Sequence, residues 1–198
     1  MKSRQDMPLI DQREAHYEKF LGPIMDPVMH STDIKPVHID IYTFPPTEER
    51  PYFTLITGGM SDLRQNVPAR YHSLGRRAEI LTYAAEPQGW MYNVLKGLAE
   101  MPFDDNTFLH WYHTAPNGKA MTAEPSDLTA YLFVPPYLEV EEFSPMTIDG
   151  DNTDFLMMVP ITARELNFTR EHGIDAMLNV FDEHDFDYII NERRSSFI

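Results

Sequence analysis

Several short segments of the chain alternate between apolar and polar residues. Between Val37 and Thr43, three β-branched residues at every second position are separated by His38, Asp40 and Tyr42. A period of two places these two sets on opposite faces, which predicts a half-buried strand. Four further segments show patterns typical of strands: 52–57, 77–83, 108–114 and 129–134.

An uninterrupted apolar run predicts the centre of a sheet. Residues 155–159 read Phe-Leu-Met-Met-Val, with no polar residue for either face. A strand of this composition is typically covered on both sides, so we expect it in the middle of the sheet. A short strand over residues 188–190 is expected at a sheet edge, and the prolines at 23, 27 and 36 predict an irregular approach to the first strand.

Four helices are predicted from periods of three and four residues and from their end signals. The first ends at Gly22-Pro23, and the second carries an apolar stripe after Pro87. The third begins at Thr162, where Glu165 three residues later can complete a capping box. Gly173 separates the third helix from the fourth.

These elements predict an α/β (α+β) fold, with helices packed around a mixed, mostly antiparallel sheet. At about 150 residues per domain, the 198 residues fit one compact domain. We expect residues 1–36 to form an N-terminal helix and an irregular lead-in, and residues 37–198 to form the domain itself.

The net charge limits the classes of binding partner that the sequence predicts. The chain has 16 Lys and Arg against 31 Asp and Glu, a net charge of −15. Nucleic-acid binding normally depends on a basic surface that neutralises phosphates, so we expect no nucleic-acid partner. An acidic surface favours solubility or a basic protein partner, and acidic residues that imitate a phosphate track are a further alternative. Because no apolar run approaches about 18 residues, we expect a cytoplasmic protein without a membrane partner.

The motifs of several enzyme classes are missing from the sequence. Without cysteine there are no thiol nucleophiles, thiolate zinc sites or disulfides. Ser61 follows Gly58-Gly59 but does not stand in a nucleophile elbow, and neither a P-loop nor a dinucleotide fingerprint occurs. We therefore expect no catalytic residue and no cofactor.

Histidines leave one enzymatic alternative open. His110 and His113 are three apart on a predicted strand, so they should point to opposite faces. His38 and Asp40 share a face, but the sequence shows no third ligand beside them. We predict no metal site, and the alternative is a hydrolase or metal-dependent enzyme that uses His38/Asp40 or His110/His113.

Polar aromatic residues suggest a contact surface. On the predicted strand over 108–114, Trp111 is expected in the core and His110 and Tyr112 on the outer face. Aromatic side chains that also form hydrogen bonds often dominate binding energy at interfaces. We predict His110 and Tyr112 as partner-binding residues, followed by Asp40 and Tyr42. The alternative is that all four are ordinary residues of a sheet.

The ordered series of segments resembles the Suppressor of Fused domain family. The matching segments span roughly residues 37 to 195, in the order of the family: 38–42 (HIDIY), 54–61 (TLITGGMS), 78–83 (AEILTY), 95–99 (LKGLA), 106–108 (NTF), 112–114 (YHT) and 155–166 (FLMMVPITAREL). The resemblance implies a compact α/β domain with helices around a mixed sheet, in agreement with the pattern above.

The resemblance also implies a function. Animal members are non-enzymatic and hold a transcription factor of the Hedgehog pathway in the cytoplasm, using a second, C-terminal domain for which this chain is too short. The chain is more similar to stand-alone bacterial members, some of which are proposed to be immunity proteins that neutralise toxins. We therefore expect an intracellular, non-enzymatic domain that binds a basic protein, such as a toxin. The family's contact residues do not transfer, because the segment after 106–108 differs in length and charge.

Overall fold

The computed structural model describes residues 7–32, 34–71, 73–122 and 126–198. In these ranges, the helices and strands follow in this order: α1 (Leu9–Leu21), β1 (Met25–His30), β2 (Asp40–Phe44), β3 (Phe53–Gly58), β4 (Arg77–Ala84), α2 (Gly89–Asp104), β5 (Thr114–Pro116), β6 (Leu128–Val134), β7 (Met146–Ile148), β8 (Asp151–Thr162), α3 (Ala163–His172), α4 (Ile174–Glu183) and β9 (Ile189–Ile190).

All of these strands belong to one open mixed sheet. Its main path runs β1-β2-β3-β4-β8-β6-β5, with β7 beside β8 and β9 beside β4. The pairings of β4 with β8 and with β9 are parallel, and the other pairings are antiparallel. The predicted fold class, a single α/β domain with a mixed and mostly antiparallel sheet, is confirmed.

Helices cover both faces of the sheet. Alternate residues of each strand point to opposite sides, so Ile80 packs with Leu95 of α2, whereas Leu81 packs in a second cluster with Phe181 of α4. Helices α1, α3 and α4 contribute to the second cluster. None of the helices in the described ranges is long and apolar enough to cross a membrane.

The central strand and the helix ends agree with the sequence pattern. β8 lies between β4 and β6 and is buried from Phe155 to Thr162. At the start of α3, Thr162 Oγ1 accepts a hydrogen bond from the Glu165 amide at 3.2 Å, and Glu165 Oε2 accepts one from the Thr162 amide at 2.8 Å. This is the predicted capping box, and Gly173 ends the helix as expected.

The prediction that β2 is half-buried is wrong, since all five of its residues are buried. β2 lies between β1 and β3, and its side chains enter the clusters on both faces of the sheet. Polar residues tolerate this burial when they are hydrogen-bonded, as in the Tyr42 hydroxyl, which donates to Glu14 Oε1 at 2.9 Å.

Strand β1 lies in the stretch that was expected to be irregular. It contains Pro27, which cannot donate a hydrogen bond to a neighbouring strand. An edge strand tolerates this loss, and β1 is the first strand of the sheet path. The strand expected at 188–190 is present as β9, and within the described ranges its pairing is with β4 on one side, as expected of an edge strand.

The predicted strand over 108–114 is also wrong. The chain is irregular from residue 107, turns at Trp111 and Tyr112, and becomes a strand only at Thr114. The Tyr112 amide still donates to Phe133 O at 2.5 Å, and the Phe133 amide donates to His113 O at 3.0 Å. The segment therefore borders β6 as an irregular extension of β5, where the alternation of faces is broken.

Asn117-Gly118 is a dipeptide typical of a tight hairpin turn, but here it belongs to a longer connection. Gly118 has the expected positive φ of 74°, but β6 begins only at Leu128. Residues 123–125 of this connection lie outside the described residues.

Candidate partner-binding surface

Three tyrosines from distant parts of the chain form one surface cluster, which we call the tyrosine surface: Tyr112, Tyr137 and Tyr188. The Tyr137 and Tyr188 rings lie 5.4 Å apart between centroids, at an angle of 57°. The Tyr112 side chain lies close enough to Tyr137 to contribute to the raised pKa of the Tyr137 hydroxyl. Because Tyr112 and Tyr137 are each 45% exposed, the cluster offers aromatic area and hydroxyl groups to a partner.

The backbone around Tyr112 fixes the orientation of this side chain. Tyr112 has a φ of 67°, in the left-handed region that bulky residues seldom adopt. Its amide bonds to Phe133 O, and the neighbouring Trp111 Nε1 donates to Phe155 O at 2.8 Å. Anchored on both sides, the turn directs Tyr112 outward instead of continuing the strand.

The other two tyrosines stand next to strand ends. Tyr137 lies in the turn after β6, where its amide donates to Pro135 O at 2.8 Å. Tyr188 comes directly before β9, whose pairing with β4 ties this part of the chain to the sheet. Tyr112 and Tyr137 therefore lie in turns next to strands β5 and β6, and Tyr188 lies at the start of β9.

Acidic residues border the tyrosine surface. Burial, followed by the charge of Asp182, raises the pKa of Tyr188. Burial, followed by the neighbouring Tyr112 hydroxyl, also raises the pKa of Tyr137, with a smaller contribution from Asp182. Both phenols therefore stay neutral near pH 7. Further exposed acids follow Asp182 along the chain: Glu183, Asp185 and Asp187.

Tyr112 also borders a cavity of about 520 Å³. On its wall, His110 Nε2 lies 3.4 Å from Asp154 Oδ2. Carboxylates next to aromatic faces are the groups that hold the cation and the stem of a Lys or Arg side chain. The cavity is lined by Ser73, Leu74, Gly75, His110, Trp111, Tyr112, Asn152 and Asp154.

The four residues predicted to bind a partner occupy different environments. Tyr112 is exposed, whereas His110 is 8% exposed and reaches the surface only through the cavity. Asp40 and Tyr42 are 4% and 1% exposed, because β2 is covered on both sides. A contact between His110 or Tyr112 and a partner stays a prediction, and the Tyr42 ring belongs to the core.

Two members of the tyrosine surface were not found from the sequence. Tyr137 follows Pro135-Pro136, a turn signal that could have marked it as exposed. Tyr188 stands at the end of an acidic run, which could have marked it as the neighbour of a charged surface. Their approach to Tyr112 depends on the sheet order, which the local pattern does not contain.

His110 and His113, the first histidine pair considered in the sequence, have different neighbours in the structure. His110 pairs with Asp154, whereas His113 packs against Phe108 with ring centroids 4.9 Å apart. Burial, followed by the charge of His110, lowers the pKa of His113. These two imidazoles therefore have separate structural partners.

The second pair, His38 and Asp40, lies next to a third possible ligand, His30. His30, at the end of β1, places Nδ1 2.8 Å from Asp40 Oδ1, and His38 Nε2 lies 3.1 Å from the same oxygen. Within the described ranges, these three residues form the group whose geometry could hold a metal ion. The sequence did not show His30 as a ligand because β1 was not predicted.

Ser61 is part of a buried hydrogen-bond network. It is 0% exposed, and its hydroxyl donates to Glu79 Oε1 at 2.6 Å. The Gly59 and Ser61 amides donate to the same oxygen, each at 3.0 Å. The segment after Gly58 thus surrounds the buried Glu79 carboxylate, and the hydrogen bonds of Ser61 hold the segment in this position.

Similar proteins come from bacteria and animals. Immunity protein YqcF of Bacillus subtilis (strain 168) is 28% identical over 76 residues, which are 38% of this chain and 40% of that protein. The match thus spans less than half of YqcF. A protein of Neisseria gonorrhoeae FA 1090, described as a SUFU homologue, has a crystal structure with a TM-score of 0.73 and 18% identity, covering 95% of this chain and 96% of that one.

Two further solved structures share the fold at 18% identity. A chain of the Sufu-Fu complex has a TM-score of 0.67, with 96% of this chain and 90% of that one covered. Drosophila Suppressor of Fused has a TM-score of 0.65, and the match covers 96% of this chain but 50% of that one. The model of the family Suppressor of fused protein (SUFU) matches residues 35–195. Because this match covers most of the chain, the chain belongs to the SUFU family, whose domains are protein-interaction modules.

Proposed function

We propose that this chain is a non-enzymatic, intracellular binding domain, an immunity-type protein that sequesters a basic protein or toxin. The observation that carries the proposal is the tyrosine surface with its acidic border. Tyrosine is enriched among the residues that dominate binding energy, because its large ring is amphipathic and loses little conformational freedom on binding. The bacterial and animal relatives support the same class of function.

Charge supports a basic partner. With a net charge of −15, the chain attracts a cationic protein over distance and increases the rate of encounter. The charge of Asp182 acts on both Tyr137 and Tyr188, so a cationic side chain that packs on these rings would also be attracted by a carboxylate. The cavity beside Tyr112 has room for such a side chain.

The similar proteins support the immunity role in particular. YqcF is an immunity protein, and a SUFU-fold chain forms a complex with Fu. An immunity protein acts by occupying a toxin, which requires a rigid surface and no chemistry of its own. The acidic tyrosine surface fits that requirement.

Affinity capture from the native host tests the proposal when it compares variants. The wild-type chain and the double variant Tyr112→Ala/Tyr137→Ala are used as baits, at low and high salt. The matched control is Tyr71→Ala, which removes a tyrosine that is 40% exposed and packs against Phe108. We expect one basic protein to be captured by the wild type and the control, to be lost with the double variant, and to weaken at high salt.

Two results would contradict the proposal. Equal capture by the wild type and the double variant would place the contact elsewhere, and no captured protein in either salt would argue against a binding role. The immunity role is tested separately by expressing the captured protein with and without this chain. We expect the partner alone to arrest growth, the wild-type chain to restore it, and the double variant to fail.

A further inference from the structure

Strand pairing brings three metal-binding side chains together at the sheet edge formed by β1. His30 is the last residue of β1 and lies directly opposite Asp40 of β2 in the antiparallel register. His38 precedes Asp40 by two residues, so the two side chains share a face. One ligand atom from each of these three residues lies within 4.8 Å of the other two.

Two features of the fold hold this arrangement in place. The Asp40 side chain is 6% exposed and directs Oδ1 to both imidazoles, at 2.8 Å from His30 Nδ1 and 3.1 Å from His38 Nε2. The backbone of His38 rests against Gly59, where any Cβ atom would overlap the His38 carbonyl oxygen. The sheet therefore fixes the Asp40 carboxylate and the His38 backbone, while the imidazole rings of His30 and His38 remain accessible.

The ligand set determines the class of ion. Two imidazole nitrogens and one carboxylate oxygen suit zinc and neighbouring divalent transition metals, whereas calcium and magnesium prefer oxygen ligands alone. We infer that His30, His38 and Asp40 bind a divalent transition-metal ion of the zinc class. This inference does not rest on the proposed function.

Small movements convert the observed arrangement into a coordination sphere. Ligand atoms about 2.0 Å from a tetrahedral zinc ion are about 3.3 Å apart, slightly farther than the two distances to Asp40. The His30 and His38 side chains are 62% and 58% exposed, so their rings are free to make this shift. Each imidazole presents its lone pair to the ion when its proton is on the other ring nitrogen.

The exposure of both histidines also leaves a coordination position open to solvent. Three protein ligands occupy one side of the ion, and water or a donor group of another molecule fills the remaining position. A bound ion would also replace the contacts with Asp40 by bonds that join β1 to β2.

Metal titration of the untagged 198-residue chain tests the inference. Zn²⁺ binding is measured by calorimetry, and Co²⁺ binding by the visible absorption of a tetrahedral site. The variants are His30→Ala and His38→Ala, both at exposed side chains. The matched control is His172→Ala, which removes a histidine that is 55% exposed on α3. Circular dichroism verifies that each variant is folded.

We expect one ion per chain for the wild type and for His172→Ala, with a tetrahedral Co²⁺ spectrum. Because each cluster histidine would be a direct ligand, its loss should weaken Zn²⁺ binding by at least about 10-fold. The inference is overturned if the wild type shows no saturable binding, or if both cluster variants bind as tightly as the wild type. Equal weakening by His172→Ala would also overturn it, because the ion would then not be specific to this cluster.

Discussion

Glu79, the third residue of β4, is 0% exposed and is surrounded by hydrogen-bond donors. Thr57 Oγ1 donates to Glu79 Oε2 at 2.6 Å, and Ser61 donates to Oε1 through both its amide and its hydroxyl. Arg13 Nη1 lies 3.8 Å from Oε1 and 2.6 Å from Asp62 Oδ1. Burial raises the pKa of Glu79, whereas Arg13 and these hydroxyl donors oppose that rise.

Removing the positive charge of Arg13 should destabilise the folded protein. Arg13→Met keeps most of the apolar stem but leaves Glu79 without its positive neighbour, so we expect a loss of about 3 kcal/mol in the free energy of unfolding. Urea denaturation measures this loss. In a Glu79→Gln background the same substitution should cost much less. Equal costs in both backgrounds would show that Arg13 acts through packing or its ion pair with Asp62, and not through the charge of Glu79.

Gly59 allows a second close contact at the same place. Its φ is 107°, and a Cβ atom there would overlap the His38 carbonyl oxygen. Gly59→Ala should therefore destabilise the protein by more than about 2 kcal/mol, measured by thermal or urea unfolding.

The matched control for this glycine is Gly97→Ala in α2, where a Cβ atom would meet no heavy atom within 4 Å. It should stabilise the protein by up to about 1 kcal/mol, because alanine favours a helix. Similar effects of the two substitutions would contradict the role of Gly59.

At the scale of elements, the start of α3 is joined to the C-terminal segment. Arg194 Nη1 and Nη2 donate to the two carboxylate oxygens of Glu165 at 2.7 and 2.8 Å, and the Phe197 amide donates to Oε1 at 3.2 Å. Burial alone would raise the pKa of Glu165, but the hydrogen bonds and charge of Arg194 lower it below the ordinary value of 4.5.

This lowered pKa predicts a pH-dependent contribution to stability. The ionised carboxylate stabilises the folded state above about pH 4.5, and the contribution is lost as the pH falls through the lower pKa of the folded state. Glu165→Gln keeps a residue suited to the capping box but removes the charge. Unfolding free energies measured from pH 7 to pH 3 should show the variant less stable at pH 7, and the difference should shrink below pH 4.5. A difference that stays constant with pH would contradict this account.

Elements with strong local signals could be predicted from the sequence. The capping box at Thr162, the apolar stripe of α2 and the run in β8 each contain their own evidence. β2 was misjudged because its burial comes from neighbouring strands and helices. The segment 108–114 was misjudged because hydrogen bonds with Phe133 hold a turn where the residue pattern indicates a strand.

The candidate sites were only partly predictable for the same reason. Tyr112 could be found from its residue type, but its neighbours Tyr137 and Tyr188 come from a turn and from the residue before β9. His38 and Asp40 were recognised as a pair, whereas His30 joins them only through the register of β1 with β2. Both clusters depend on pairing between segments that are distant in the sequence.

At the scale of the whole molecule, one rigid sheet carries a strongly negative surface. The sheet is covered by helices on both faces, and the tyrosine surface lies in turns and at a strand end beside it. The net charge acts over distance, while individual carboxylates act at the contact. Charge reversals at different places should therefore affect binding differently.

Association kinetics with the captured partner separate these two effects. Asp182→Lys changes the charge beside Tyr137 and Tyr188, and Asp105→Lys makes the same change at the end of α2. We expect Asp182→Lys to reduce the association rate several-fold at low salt and Asp105→Lys to reduce it much less, with both effects shrinking as salt rises. Surface plasmon resonance measures the rates. Equal effects would show that only the total charge matters.

The most direct test of partner binding is amide hydrogen exchange of this chain, alone and in complex with the captured protein. We expect slower exchange in the complex at residues 110–113, 136–139 and 182–188, the segments that form the tyrosine surface and its acidic border. Exchange in α2, on the other face of the sheet, should stay unchanged. Slower exchange confined to α2 or to β1, with no change around Tyr112, Tyr137 and Tyr188, would contradict the account.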